Sequence, residues 1–379
     1  MIQRERVVAH RLLVAFGTRP EIIKLAPVIK ELKKYPQDFE LVLLATAQHR
    51  GLLDQMLQLF EIEPEIDLNL MEPNQSLDRL TSRVMLKASQ VLRAIKPAMV
   101  IVQGDTTTAM VVALAAFYLK IPVAHVEAGL RTRDRYQPFP EEINRRLIST
   151  IASLHFAPTR QAVLNLKKEG IPIKNIFLTG NTVVDALLQM KTKIATIPPR
   201  IKISPQNKLI LVTAHRRENF GEPLKNVCQA LLQLVEDFPE IEIVYPVHPN
   251  PNVSQLVYSL LSGRPRVHLL RPLPYIDLLT LIQRAYLILT DSGGIQEEAP
   301  SFHKPVLVLR EVTERPEGIK AGVARLVGTN TQRIVTEVAR LLRHSLAYER
   351  MTKAPNPYGD GRASRRIVHH LRRYLACLP

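Results

Sequence analysis

Cysteine and tryptophan are scarce in this sequence of 379 residues, which has no tryptophan and only two cysteines, Cys228 and Cys377. The cysteines lie far apart, with neither a CxxC pair nor a histidine at ligand spacing, so the sequence indicates neither a disulfide framework nor a zinc site. This composition is typical of a reducing compartment. Without tryptophan, no aromatic platform for stacking nucleic-acid bases is evident.

Long apolar runs are missing from the N-terminal segment. Its first apolar run, residues 12–16, is too short for the core of a signal peptide or for a membrane span. We interpret this run as the first β-strand. We therefore expect a cytoplasmic protein without membrane insertion.

Acidic residues are in deficit: 35 Asp and Glu face 51 Lys and Arg, which gives a net charge of +16. The resulting positive field attracts polyanions, including nucleic acid, phosphorylated ligands and anionic lipid. The basic residues are scattered, however, and only residues 365–373 form a local cluster. A solvated basic surface explains the charge more simply than a nucleic-acid interface, so we expect no nucleic-acid partner.

Short apolar runs rich in Val, Ile and Leu recur between stretches with helical spacing, as is typical of parallel strands buried on both faces. They lie at residues 12–16, 41–45, 99–102 and 123–126, and again at 209–212, 241–245, 267–270, 286–289 and 305–309. Residues 194–208, with three prolines, separate the two sets as a loop, and residues 180–190 have a helical pattern. The sequence predicts two α/β sheets with a domain boundary near Gly180.

Residues that follow the apolar runs are informative, because ligands of open α/β sheets bind beyond the carboxyl ends of strands. After the first run, Gly17 permits a tight turn and Arg19 could bind an anion, although a plain helix start explains the same residues. Asp105 and Glu127 follow two later runs and suit proton transfer, because crowding and partial burial raise one pKa. Alternatively, Asp105 caps a helix and Glu127 pairs with Arg131.

Other candidate residues have an equally simple structural interpretation. Glu141 and Glu142 open a helix, where the helix dipole and pairing with Arg145 and Arg146 account for both. His248 stands alone after a strand, as a hydrogen-bonded structural histidine often does.

Two strand ends in the second half carry the sharpest local signals. His215 lies among charged residues directly after a buried strand. After a later strand come Ser292, Gly293 and Gly294, whose backbone amides could hold a diphosphate, and Glu298, which could bind a ribose diol. A tight turn before an acidic helix start is the alternative. No GxGxxG or GxxxxGK[ST] string occurs, so NAD and ATP sites are not predicted.

Taken together, eleven strings resemble the non-hydrolysing UDP-N-acetylglucosamine 2-epimerase family. They occur in family order over residues 12 to about 370, which makes the match specific although any one string is weak. The strings are GTRPEIIKLAPVI, QHRGLLDQ, GDTTT, HVEAGLRT, PFPEEINR, TGNTVVDAL, HRRENFG, PVHPNPNV, DSGGIQEEAP, TERPE and NPYGDG.

The resemblance implies an α/β fold of two Rossmann-like domains, whose parallel sheets face a central cleft in the glycosyltransferase-B-like arrangement. Residues 1–180 would form the N-terminal domain with the acid/base carboxylates, completed by a C-terminal helix at 364–379. Residues 181–363 would form the UDP-binding domain. The resemblance also implies a homodimer.

The implied reaction is epimerisation of UDP-N-acetylglucosamine (UDP-GlcNAc) at carbon 2 to UDP-N-acetylmannosamine. UDP is eliminated to give 2-acetamidoglucal and then added back, with no metal or redox cofactor, and the product supplies cell-surface polysaccharide synthesis. Asp105, Glu127 and Glu141 match the family's acid/base carboxylates, and His215 faces the leaving diphosphate. The residues that match the UDP site are Arg19, Lys24, Ser292, Gly293, Gly294 and Glu298.

Bacterial members of the family also resemble one another in a second UDP-GlcNAc site that activates turnover. Gln48, His49 and His248 match that site, so UDP-GlcNAc is expected as activator as well as substrate. The chain departs from the family at Gly51, where Glu or Gln is usual, and at Gln103, where His is usual.

Four alternatives stay open from the sequence. Two are enzymes: a retaining glycosyltransferase of similar architecture, and an epimerase for a modified UDP-sugar such as a diacetamido-uronic acid. A UDP-sugar sensor without catalysis would not need Asp105, Glu127 and Glu141 together. A nucleic-acid-binding protein would show salt-sensitive binding, but it leaves the same carboxylates without a purpose.

Overall fold

Parallel sheets flanked by helices form two separate units, which confirms the predicted α/β class. The structure is a computed structural model that describes residues 9–47, 50–70, 72, 75–196 and 203–377. The N-terminal unit comprises the described residues through Ala186 and those from Gly359 onward, and the C-terminal unit is Leu187–Tyr358.

The N-terminal unit contains a parallel sheet of seven strands in the order β3-β2-β1-β4-β5-β6-β7. Its strands are β1 His10–Phe16, β2 Phe39–Ala45, β3 Ile66–Asp67, β4 Met99–Gln103, β5 Val123–Val126, β6 Leu154–Ala157 and β7 Ile176–Leu178. Its helices are α1 Arg19–Leu32, α2 Arg50–Phe60, α3 Leu77–Ile95, α4 Thr107–Tyr118, α5 Glu141–Ile151, α6 Arg160–Lys168, the start of α7 Thr182–Thr196, and the final helix α15 Ala363–Leu375, with a 3₁₀ turn at Ile173–Asn175.

The C-terminal unit contains a parallel sheet of six strands in the order β10-β9-β8-β11-β12-β13. Its strands are β8 Lys208–Thr213, β9 Ile241–Pro246, β10 Val267–Leu270, β11 Leu287–Thr290, β12 Val306–Val308 and β13 Ala324–Leu326. Its helices are α8 Glu222–Asp237, α9 Pro251–Leu261, α10 Tyr275–Arg284, α11 Gly293–Glu298, α12 Pro316–Ala321, α13 Thr331–Arg343 and α14 Ser345–Thr352, with 3₁₀ turns at Arg217–Asn219 and Ala299–Phe302.

Helix α7 runs from one unit into the other, so the division at Ala186 falls a few residues after the expected boundary near Gly180. The first turn of α7 belongs with the N-terminal unit because Asp185 anchors the start of α15. Its carboxylate accepts the backbone N–H groups of Ala363 at 3.1 Å and Ser364 at 2.8 Å, and the Ser364 hydroxyl at 2.6 Å. In the predicted loop 194–208, residues 203–207 are neither helix nor strand, and residues 197–202 lie outside the described part.

Helix α1 illustrates how packing positions the strand-end loops. Ile22, Leu25 and Ile29 recur at helical spacing and are fully buried, and each contributes roughly 1.5–3 kcal/mol of apolar transfer free energy. The packed helix therefore presents its first turn, which begins with Arg19, at the carboxyl end of β1. Among the described residues, we find no helix with the length and apolarity that a bilayer crossing requires.

Candidate active site

The strand order of each sheet reverses once, between β1 and β4 in the N-terminal unit and between β8 and β11 in the C-terminal unit. The loops that leave two such strands turn to opposite faces of the sheet and open a crevice, where ligands of this fold class bind. Among the predicted site residues that the structure describes, those in these loops or at the helix starts that follow them are Arg19, Asp105, His215, Ser292, Gly293 and Gly294. We call the two places the N-terminal and the C-terminal switch point.

The loop after β1 is tightly packed at Gly17. A Cβ atom on this residue would lie 2.1 Å from Oγ1 of Thr46 and 2.7 Å from Oγ1 of Thr108, so only glycine fits. The two threonine hydroxyls hydrogen-bond to each other at 2.9 Å. Thr18 then precedes helix α1 as its N-cap residue, and Arg19 follows, partly buried, at the first helical position.

Lys24, expected beside a diphosphate, contacts a predicted catalytic carboxylate. Its Nζ lies 2.5 Å from Oε1 of Glu127, and both side chains are largely buried. The side-chain amide of Gln103 donates to Oε2 of the same carboxylate. Glu127 has a φ of +67°, a conformation that costs a non-glycine residue about 1–3 kcal/mol and is concentrated at functional sites.

The alternative pairing of Glu127 with Arg131 is wrong. Arg131 instead binds Glu169, with its Nε 2.7 Å from Oε1 and its Nη2 2.6 Å from Oε2. This two-point ion pair occupies the Arg131 guanidinium, whereas Glu127 contacts Lys24.

Asp105 is linked to helix α5 rather than acting as a helix cap. Its carboxylate lies 2.5 Å from Nη2 of Arg145, and its carbonyl accepts the amide of Asn144 at 2.9 Å. The N-cap of α4 is the next residue, Thr106, whose hydroxyl accepts the Ala109 N–H at 3.0 Å. The helix-cap interpretation of Asp105 is therefore wrong.

Glu141 and Glu142 differ in their surroundings although both open α5. Glu142 is fully buried and accepts hydrogen bonds from the backbone N–H groups of Thr132 at 3.0 Å and Arg133 at 3.3 Å. It also forms an ion pair with Arg145 at 3.4 Å. It is a structural residue. Glu141 is only partly buried and lies at the end of the helix that contacts Asp105, so the structure brings all three predicted carboxylates to one region of the N-terminal unit.

At the C-terminal switch point, His215 contacts Asp291, which directly precedes the predicted Ser292, and the predicted residue His248. Its Nδ1 lies 3.3 Å from Oδ1 of Asp291, and its ring stacks on that of His248 with centroids 5.4 Å apart. Asp291 is fully buried, and its Oδ2 accepts the N–H groups of His215 and Arg216, each at 2.8 Å, and the Asn219 amide at 3.0 Å. His248 is therefore beside His215 rather than isolated.

The predicted diphosphate loop lies beneath two arginines. A Cβ atom on Gly293 would lie 3.8 Å from guanidinium atoms of both Arg216 and Arg315, so cationic groups converge on the start of helix α11. Ser292 is the N-cap residue of that helix, and Gly294 is its second residue. At its end, Glu298 is largely buried and accepts the hydroxyl of Tyr275 at 2.9 Å.

Two of the predicted second-site residues, Gln48 and His49, lie outside the described residues. Gly51, by contrast, lies on helix α2 and is exposed, and a Cβ atom there would meet nothing within 4 Å. A larger side chain at this departure from the family pattern is therefore sterically permitted.

Three residues at the site went unassigned in the sequence: Glu21, Asp291 and Tyr275. Glu21 lies two residues after Arg19 in GTRPE, and Asp291 directly precedes Ser292 in DSGG. Their positions at strand ends could therefore have indicated them. No sequence pattern indicates Tyr275, which comes from a different helix than Glu298. Burial raises the pKa of Glu21 to about 7, although hydrogen bonds from Thr106, Thr18 and Gly17 lower it. A carboxyl group with a raised pKa therefore lies at this switch point in a residue that the sequence did not single out.

Two parallel sheets, each with polar residues at its switch point, define the class of doubly wound α/β proteins, which bind ligands beyond the carboxyl ends of their strands. Comparison with known proteins narrows this class. The family model described as UDP-N-acetylglucosamine 2-epimerase matches residues 30–372. The chain belongs to the UDP-N-acetylglucosamine 2-epimerase family.

Individual relatives agree over nearly the whole chain. UDP-N-acetylglucosamine 2-epimerase of Salmonella typhimurium is 50% identical over 376 residues, with 97% of this chain and 100% of the relative covered. The crystal structure of the Neisseria meningitidis enzyme bound to UDP-GlcNAc is 48% identical, with a TM-score of 0.88 and coverage of 96% and 100%. The Methanocaldococcus jannaschii enzyme in complex with UDP-GlcNAc and UDP is 36% identical, with a TM-score of 0.81 and coverage of 96% and 99%.

Proposed function

We propose that the protein epimerises UDP-GlcNAc at carbon 2, reversibly, to UDP-N-acetylmannosamine for cell-surface polysaccharide synthesis. The observation that carries the proposal is the set of carboxylates at the N-terminal switch point. Glu127 contacts Lys24, Asp105 contacts Arg145, and the helix of Arg145 begins at Glu141. Family membership over residues 30–372 supports the same activity.

In the proposed mechanism, one carboxylate takes the proton from carbon 2 while the bond from carbon 1 to the diphosphate oxygen breaks. The C–H electron pair forms the double bond of 2-acetamidoglucal, and UDP leaves with the electrons of the C–O bond. UDP then returns to carbon 1 while a second carboxylate protonates carbon 2 from the opposite face. Acid and base on opposite sides of the sugar invert its configuration.

The departing diphosphate needs positive charge and hydrogen-bond donors around it. We assign this role to Arg19 and Lys24 from the N-terminal unit and to His215, Ser292, Gly293 and Gly294 from the C-terminal unit. Glu298 binds the ribose diol. Convergence of Arg216 and Arg315 on Gly293 supports an anion at this position.

The test is incubation of the purified protein with UDP-GlcNAc in deuterated water, followed by proton NMR. We expect loss of the carbon 2 proton signal and growth of a manno product, both dependent on protein. An unchanged spectrum contradicts the proposal and favours a glycosyltransferase, which requires an acceptor.

We also propose that a second UDP-GlcNAc molecule activates the enzyme through Gln48, His49 and His248. Stacking of His248 on His215 links this group to the diphosphate side, and two ligands accompany the Methanocaldococcus jannaschii relative. The initial rate should rise sigmoidally with UDP-GlcNAc, and His248→Ala should make the curve hyperbolic. A hyperbolic curve for the unchanged protein contradicts activation.

For the assembled state we propose a cytoplasmic homodimer. Leu86 on α3 is 66% exposed, and Phe117 and Tyr118 at the end of the neighbouring helix α4 are 56% and 66% exposed. Apolar side chains of this size suit an interface between copies. Light scattering after gel filtration should give twice the chain mass of 42.9 kDa, and Phe117→Glu should reduce it to the mass of one chain.

A further inference from the structure

A buried glutamate spans the N-terminal switch point. Glu21 is inaccessible to solvent, and its Oε2 accepts the backbone N–H of Gly17 at 3.0 Å and the hydroxyl of Thr18 at 2.7 Å. Its Oε1 accepts the hydroxyl of Thr106 at 2.7 Å. Gly17 and Thr18 follow β1 and Thr106 follows β4, so this one carboxyl group connects the two loops that diverge at the switch point.

Each end of this connection lies beside residues that the proposed mechanism uses. Glu21 is in the first turn of α1, between Arg19 and Lys24. Thr106 directly follows Asp105 and caps helix α4 through the Ala109 N–H at 3.0 Å. Any change in the distance between the loops would therefore move the proposed diphosphate contacts relative to the proposed acid/base carboxylate.

We propose that Glu21 is a positioning residue, which fixes the loop of Arg19 and Lys24 against the loop of Asp105 through its hydrogen bond to Thr106. The inference rests on the proposed epimerase function. A displacement of about 1 Å between reacting groups and the residues that hold the substrate is enough to cost about 100-fold in rate. Glu21 contributes through alignment and does not itself contact the sugar.

The hydrogen-bonding chemistry identifies a conservative variant. The Glu21 partners are neutral: one amide N–H and two hydroxyl groups, and a hydroxyl can donate or accept. In Glu21→Gln, the amide oxygen can accept from Gly17 and Thr18, while the NH₂ group donates to the Thr106 oxygen. The connection survives in this variant. In Glu21→Leu, which has a similar volume, it is lost.

The experiment measures kcat and KM for epimerisation, the Kd for UDP by calorimetry, and the melting temperature. We expect Glu21→Leu to lower kcat about 100-fold while the Kd for UDP changes less than about threefold, because the proposed UDP contacts lie mainly in the C-terminal unit. Glu21→Gln should retain kcat to within about tenfold. A folded Glu21→Leu variant with kcat within about threefold of the unchanged protein overturns the proposal, as does a Glu21→Gln variant as slow as Glu21→Leu.

Variants of Thr106 test the same hydrogen bond from its donor side. They test the proposal even if Glu21→Leu does not fold. Thr106→Val should lose activity as Glu21→Leu does, Thr106→Ser should retain it, and the double variant should be no slower than either single variant, because both remove one connection. Full activity in Thr106→Val, or additive losses, overturns the proposal. Absence of deuterium incorporation by the unchanged protein would instead contradict the epimerase function itself.

Discussion

Each sheet has a buried carboxylate at its switch point, but the two carboxylates have different partners. Glu21 reaches across from a helix and holds the opposite loop through a hydroxyl group. Asp291 lies in the loop after β11 and holds the loop after β8 through two backbone N–H groups and a side-chain amide, while it also contacts the His215 ring. The first connection aligns side chains, whereas the second shapes a loop.

The surrounding charges differ in the same way. Near Glu21 the chain presents carboxylates that form ion pairs with cations, Glu127 with Lys24 and Asp105 with Arg145. In the C-terminal unit, Asp291 contacts the His215 ring, and Arg216 and Arg315 converge on Gly293. This contrast supports the proposal that proton transfer belongs to the N-terminal unit and most of the anion binding to the C-terminal unit, and variants in the two units should therefore change different kinetic constants.

The largest effect should come from Glu127→Gln. This change keeps the shape of the side chain and removes the ionisable group, so deuterium exchange at carbon 2 should fall by about 10³-fold or more. Binding of UDP should stay nearly unchanged, as measured by calorimetry. Glu169→Gln, which alters the partner of Arg131, is the matched control and should remain active. Weakened UDP binding in Glu127→Gln would move this residue from catalysis to binding and break the contrast between the units.

The next effect concerns how stability depends on pH. The folded pKa of Glu21, about 7, lies above its ordinary value of 4.5, so folding favours the protonated form. The stability that this proton linkage provides is complete below pH 4.5 and is lost as the pH rises through 7, a change of about 3 kcal/mol. Glu21→Gln cannot titrate and should lack this loss.

Urea unfolding of the unchanged protein and of Glu21→Gln across pH 5 to 8 measures this difference. The comparison is needed because burial lowers the pKa of His125 to about 3, which makes stability fall in the opposite direction, as the pH drops below 6.5. His125 is present in both proteins, so its contribution cancels. If the free energy of unfolding depends on pH in the same way in both proteins, the pKa of Glu21 does not change on folding and this prediction is wrong.

A smaller effect is expected for Asp291→Asn. Three N–H donors share Oδ2 of Asp291, and a neutral amide oxygen accepts them less strongly than a carboxylate oxygen does, so the loop after β8 should relax. Loss of a buried hydrogen bond to a charged group costs roughly 1.5–3 kcal/mol, and the Kd for UDP should rise about 10- to 100-fold. Asp237→Asn, on an exposed helix end of the same unit, is the control. A variant with unchanged UDP binding but slow deuterium exchange would contradict the assignment of this unit to anion binding.

The fold was largely predictable because each of the nine apolar runs overlaps a strand, and strands buried on both faces leave a continuous pattern. Four strands lay outside those runs: β3 has two residues and β7 has three, β6 contains His155, and β13 contains Arg325. The site was predictable where one residue at a strand end carries the signal, as for Asp105 or His215. The connection from Glu21 to Thr106 was not, because it joins positions 85 residues apart and local sequence does not encode such a contact.

The smallest effect should come from Tyr275→Phe, which tests the contrast at the ribose end. The Tyr275 hydroxyl donates to Oε1 of Glu298 at 2.9 Å, and its loss leaves a buried carboxylate oxygen without that donor. A hydrogen bond to a charged group contributes roughly 1.5–3 kcal/mol, but Tyr275 acts on the proposed ribose ligand Glu298 and not on UDP itself, so only part of this appears in the Kd for UDP, which should rise about three- to tenfold. The rate of exchange at saturating substrate should stay the same, because the hydroxyl contacts a proposed binding residue and not a proposed acid/base carboxylate. If instead kcat falls while the Kd is unchanged, the ribose end also controls alignment, and binding and chemistry are not divided between the units.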